Sequence, residues 1–164
     1  MLVISTCDAD TDWTGESLSI DEADKKEGTG CLVDTVAEPI ATTWYHTSYD
    51  PTGTWDLSGK KHLLFWLKSD RASTAFTNAR VFIYEGDNWR RWDLTFSAGV
   101  WTAVKKLLST GDADSGTSPD IALIDYVRVS FYTADTDAFY KKIDHMRVIV
   151  GSQGMIGDDY FMRL

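Results

Sequence analysis

Apolar and polar residues alternate along this chain with a period of two, and no segment of useful length carries the 3.6-residue period of a helix. Alternation puts successive side chains on opposite faces of a strand, so the chain has to build sheets. The clearest run is His62-Leu63-Leu64-Phe65-Trp66-Leu67-Lys68, apolar on both faces, which predicts a strand covered on both sides or facing a ligand. Residues 80–85 and 89–96 flank the turn Gly86-Asp87-Asn88 and predict a hairpin. Further strands are expected at 17–20, 30–37, 42–49, 100–108, 124–133 and 139–150, with a short last one within 158–164. Thr110 to Asp120 is rich in small and acidic residues and predicts a loop. About nine or ten short strands without intervening helices imply an all-β antiparallel sandwich or jelly roll.

The 164 residues suit one domain, 1–164, able to bury about 70% of its unfolded surface without a disulfide or metal. Cys7 and Cys31 are too few for a disulfide framework, and both a free pair and a single bridge stay open. A formal charge of −9 repels phosphate, which argues against nucleic acid and anionic membranes as partners. The start, Met1-Leu2-Val3-Ile4 followed by Ser5-Thr6-Cys7-Asp8, has neither a basic segment nor an apolar run, so no secretory signal is predicted. Release by another route, or trimming, would account for that start, and a virion or extracellular setting is expected.

Familiar catalytic constellations are missing. His46, His62 and His145 stand singly, with no zinc-ligand spacing, and no nucleophile elbow, Walker loop or GxGxxG occurs. Twenty of the twenty-five acids are Asp, mostly in turns, where short acids bond the local backbone. An enzyme is therefore not expected, although a jelly-roll polysaccharide-degrading enzyme with two opposed carboxylates is a minor alternative. Asp8-Ala9-Asp10-Thr11-Asp12 begins like a calcium loop, but Trp13 and Ser19 occupy the positions of the required Gly and bidentate Glu.

Several pieces in order carry a resemblance: Cys7-Asp8 with Trp13-Thr14-Gly15; Lys26 to Leu32 (KEGTGCL); Leu57-Ser58-Gly59 leading into Leu64 to Ser69; Gly99-Val100-Trp101-Thr102; then Phe139-Tyr140 and Ile143-Asp144. The layout resembles the galactose-binding-like jelly rolls, which include non-catalytic carbohydrate-binding modules and modules of bacteriophage tail and capsid-surface proteins. The resemblance implies a structural Ca2+ held by Asp8 or Asp10, Glu27 and Asp144, and places Trp13 and Trp101 in the core. It also implies glycan as the partner. The alternative is a structural component of a virus particle whose partner is a neighbouring protein of a larger assembly, with a homo-oligomer left open.

Alternation sorts the remaining aromatics. Leu63, Phe65, Leu67, Val81, Ile83, Val127, Val129 and Phe131 form the predicted core set. The other face then collects Trp66, Phe82, Tyr84, Arg91, Asp93, Tyr126, Arg128 and Tyr132, the rings and planar charged groups that a concave sugar-binding face requires. Burial of these rings by a loop or a partner chain, as a second core layer, is the competing reading, because a one-residue slip in register exchanges the two faces.

Overall fold

A computed structural model describes residues 1–150; the expected last strand within 158–164 lies outside the described residues. The strands are β1 (Leu2–Ser5), β2 (Trp13–Thr14), β3 (Leu18–Asp21), β4 (Cys31–Val36), β5 (Trp44–Tyr49), β6 (His62–Ser69), β7 (Phe76–Glu85), β8 (Asn88–Asp93), β9 (Thr102–Leu107), β10 (Ala113–Asp114), β11 (Tyr126–Thr133) and β12 (Phe139–Ile149). Every pairing between named strands is antiparallel. Sheet A runs β3-β4-β12-β6-β9, with β1 also on β12; sheet B runs β10-β8-β7-β11-β5-β2. The two-residue β10 is a short strand inside the expected loop, paired with Arg90 and Arg91. Among the described residues no helix is long and apolar enough to cross a membrane.

The core lies between the sheets. Leu63, Phe65 and Leu67 enter it from sheet A and Val81, Ile83, Val127, Val129 and Phe131 from sheet B, as alternation requires. Trp13 joins them. A full Leu or Phe burial contributes about 1.5–3 kcal/mol, so these side chains dominate cohesion. Gly86 turns the β7–β8 hairpin at φ 56°, in the left-handed region that a two-residue hairpin loop demands.

One polar network crosses the core. Asp34 on β4 and Lys141 on β12 face each other across the ladder and form a fully buried ion pair at 3.1 Å. Asp34 also accepts from the Glu16 and Ser17 backbone N–H groups and from the Thr47 hydroxyl on β5, while Lys141 donates to the Tyr45 carbonyl. Burial pushes the Lys141 ammonium below its usual range, and Asp34 opposes that shift. Because every partner is itself bonded, the pair ties sheet A to sheet B without leaving a naked charge.

Cys7 and Cys31 are free and buried. Burial pushes each thiol up to about 12, so both are inert small apolar groups.

Candidate functional site

Seven of the eight expected ligand-face residues meet on the outer face of sheet B. Strand pairing lays them in cross-strand rows. Trp89, Tyr84 and Tyr126 form one row on β8, β7 and β11. Arg91, Phe82, Arg128 and Ser48 form the next, reaching β5. Asp93, Arg80, Ser130 and His46 form a third, and Asn78, Tyr132 and Trp44 a fourth.

The rings pack on one another. Tyr84 and Tyr126 stack at 4.0 Å with planes 12° apart, Phe82 stacks on Tyr84 at 5.8 Å, and Trp89 meets Phe82 edge-on. At the opposite end Trp44 contacts Tyr132 and carries the Arg80 guanidinium over its ring. The Arg128 guanidinium lies over both tyrosines, 5.1 Å from Tyr84 and 5.3 Å from Tyr126. Its Nε donates to the Ser48 hydroxyl at 2.9 Å. Arg80 and Arg91 share Asp93 Oδ1, at 2.9 and 2.7 Å. Phe82 is buried, Tyr84, Trp89, Arg91, Tyr126, Arg128 and Tyr132 are half-buried, and Asp93 and His46 exposed, so among the described residues the face is partly open. Arg80, Trp89, Trp44 and His46 were not in the expected set. Strand-end positions hid Trp89 and Trp44, Arg80 alternates with Phe82 and Tyr84 yet is absent from that set, and a lone histidine gave no signal.

Trp66 does not belong to this site. It lies on β6, in sheet A, and points out from the opposite side of the sandwich. There it packs with Leu64, Trp101, Ala103 and Ile149, 4% exposed, beneath the turn that connects β3 to β4. Its Nε1 donates to Glu27, and Lys26 stands over its ring at 4.7 Å. Trp101 is corrected with it: the ring is half-buried on this outer face, donating to Asp24, and is not in the inter-sheet core. For Trp66 the cause is that alternation shows that a side chain leaves the core side of its own strand, but not to which of two sheets the strand belongs; the resemblance alone places Trp101 in the core, and it stands just before β9.

The expected calcium set divides. Asp8 Oδ1 accepts the backbone N–H groups of Thr29 and Gly30, and Asp144 Oδ2 those of Lys26 and Glu27. Gly28, at φ 64°, permits this close approach; a Cβ there would stand 2.5 Å from Asp8 Oδ1. Glu27 is engaged by Trp66 and by Arg147 at 2.9 Å. Asp10 is exposed and offers its carbonyl to Trp13. Asp144 Oδ1 is buried with no hydrogen-bond partner. Burial pushes the Asp144 carboxyl up to about 6, backbone N–H groups oppose this, and the charges of Glu27 and Asp8 add to it. Among the described residues no three His, Cys, Asp or Glu side chains group in a way that would hold a metal ion. Within the expected set, Asp144 Oδ1 is thus the buried oxygen with an unmet demand, Glu27 is already engaged, and Asp10 is exposed.

No protein-family model matches the chain, and no curated protein sequence does. Solved structures do. The family 11 carbohydrate-binding module from Clostridium thermocellum, in complex with a β-1,3-1,4-mixed-linked tetrasaccharide, superposes with a TM-score of 0.67 at 15% identity, covering 92% of this chain and 95% of that one. This chain shares the antiparallel β-sandwich fold of that module. A family 30 carbohydrate-binding module of the Clostridium thermocellum cellulosomal cellulase Cel9D-Cel44B matches with a TM-score of 0.55 at 15% identity, over 85% of this chain and 87% of that one. An exo-β-agarase matches with a TM-score of 0.72 at 13% identity, over 96% of this chain but 26% of the agarase. The family 11 and family 30 matches thus span most of their partner chains, whereas the agarase match is to a part of a larger enzyme.

Proposed function

We propose that this chain is a non-catalytic glycan-binding module and that the outer face of sheet B is its binding surface. The observation that carries this reading is the half-exposed Tyr84–Tyr126 stack, backed by the buried Phe82 and capped by the Arg128 guanidinium. Flat rings stack on the C–H faces of pyranoses, while Arg91, Asp93 and Arg128 hold hydroxyls in a fixed orientation. The family 11 module, whose complex contains a mixed-linked glucan tetrasaccharide, supports glycan as the partner class. Affinity electrophoresis through gels containing soluble polysaccharides tests the reading. Retardation by at least one polysaccharide, lost in a Tyr84→Ala/Tyr126→Ala variant that remains folded, is expected. Unchanged mobility across a broad panel would overturn it, and steady release of reducing ends would replace it with an enzyme.

We also propose that a structural calcium, where one binds, takes Asp144 Oδ1 as ligand with Asp8 beside it. Asp144's orphaned oxygen is the supporting observation. A thermal midpoint that rises with millimolar CaCl2 and not in Asp144→Asn is the expected result. An unchanged midpoint would overturn the calcium reading.

A further inference from the structure

The described arginines differ in one respect. Arg71 pairs with Asp135, Arg80 and Arg91 with Asp93, Arg90 with Asp114 and Arg147 with Glu27. Among the described residues, no carboxylate lies within ion-pair distance of Arg128; the hydrogen bonds it makes go to the hydroxyls of Ser48 and Tyr84. In a chain of net charge −9, a half-buried guanidinium without a carboxylate is the exception that calls for a reason. It sits at the centre of the open face, one strand from Phe82 and two from Arg91 in the same row. Two strand spacings separate the backbones of Arg91 and Arg128 by about 9.5 Å. Arg80 and Arg91 share a single carboxylate, so the face carries three arginines against Asp93.

We infer that the ligand of this face is an anionic glycan, a polysaccharide whose units carry carboxylate or sulfate groups, with Arg128 as the main anion contact and Arg91 as the second. The inference rests on the glycan-binding reading of the same face and names its ligand class. A guanidinium fork matches carboxylate and sulfate oxygens in bidentate geometry, and Arg128 is half-buried on this face with its Nε and one terminal nitrogen bonded to hydroxyls alone. The remaining charge of the molecule is acidic, so nonspecific attraction to a polyanion is unfavourable and binding must come from this patch.

Affinity electrophoresis in four gels tests it: alginate for carboxylate, carrageenan for sulfate, and mixed-linked β-glucan and agarose as neutral polymers. Retardation by one anionic polymer at concentrations at least tenfold lower than for either neutral one is expected, weakening between 50 and 500 mM NaCl (about 14 and 4 Å of screening length). Arg128→Gln should remove most of that preference and Arg128→Lys should restore part of it. Arg91→Gln, at the rim, gives a smaller loss and serves if Arg128→Gln fails to fold. Alginate and carrageenan together distinguish carboxylate from sulfate. Equal or tighter binding to the neutral polymers overturns the anionic ligand and leaves the glycan reading standing. Retardation in none of the gels overturns both.

Discussion

The two outer faces of this sandwich start from similar materials and end differently. Sheet A presents Leu64, Trp66, Trp101, Lys68 and Lys142 outward; sheet B presents Phe82, Tyr84, Tyr126, Arg128 and Tyr132. Over sheet A, the β3–β4 connection folds down and spends its acids. Asp24 takes Lys68, Lys142 and the Trp101 N–H, Asp21 takes Lys142, and Glu27 takes Trp66 and Arg147. Sheet B's outer face keeps Tyr84, Tyr126 and Tyr132 half-exposed and, among the described residues, keeps Arg128 without a carboxylate. Outward-facing aromatics alone therefore do not make a binding surface. What distinguishes one is the absence of a covering segment that satisfies its polar atoms, since buried indole N–H groups and ammonium groups must be bonded somewhere.

That contrast breaks if the two faces respond alike to mutation. Trp66→Ala should have the largest effect, about 3–5 kcal/mol of lost stability by urea denaturation, because it empties a closed pocket. The protein that remains folded should keep its polysaccharide retardation; loss of both would place Trp66 in the ligand's path. Tyr84→Ala and Tyr126→Ala should each reduce polysaccharide affinity about tenfold while costing about 0.5–1.5 kcal/mol of stability, the contribution of one stacked pair. A larger stability loss without a change in affinity would make sheet B's face a second core layer.

The smallest effect is expected from acid. Burial opposes it, but hydrogen bonds from Lys142, Lys68 and Trp101 hold the Asp24 carboxyl well below its usual range, and Lys142 with the local backbone holds Asp21 down to about 2. A carboxylate whose folded value is depressed stabilises the fold above its unfolded value, near 3.9, and that stabilisation disappears as pH falls through the folded value. The cover over sheet A should thus loosen between about pH 4 and pH 2. Asp24→Asn should cost about 1 kcal/mol or less at neutral pH, since the group is partly exposed, and should flatten the acid limb of a thermal-midpoint titration. Polysaccharide affinity at pH 7 should not change in that variant.

Much of this was legible from alternation. The spans of β6, β11 and β12, the β7–β8 hairpin, and the inward positions of Phe65, Val81, Ile83, Val129 and Phe131 all follow from which residue is polar and which is not. So does the gathering of Phe82, Tyr84, Tyr126, Arg128 and Tyr132, because adjacent strands in register share a face. Lys141 was not legible: beside Lys142 it looks like a solvated basic pair, yet it is fully buried because β12 pairs with β4 so that Asp34 faces it. At the corner that the resemblance assigned to Asp8, Glu27 and Asp144, the part Arg147 plays was hidden for a related reason. β12 bulges after Asp144, with His145 at φ 45°, and the extra residue keeps Met146 inward and turns Arg147 outward to Glu27.

Sequence alone determined that this chain forms sheets, which side chains leave the core side of each strand, and that its aromatic residues divide between core and surface. Those properties are local, being set by the two-residue repeat of an extended backbone. Only the tertiary structure decided which sheet each strand joins, and so that Trp66 is sealed beneath Lys26 and Glu27 while Tyr84, Tyr126 and Arg128 face outward together. Sheet membership depends on pairings between residues far apart in the chain, and no local period encodes them.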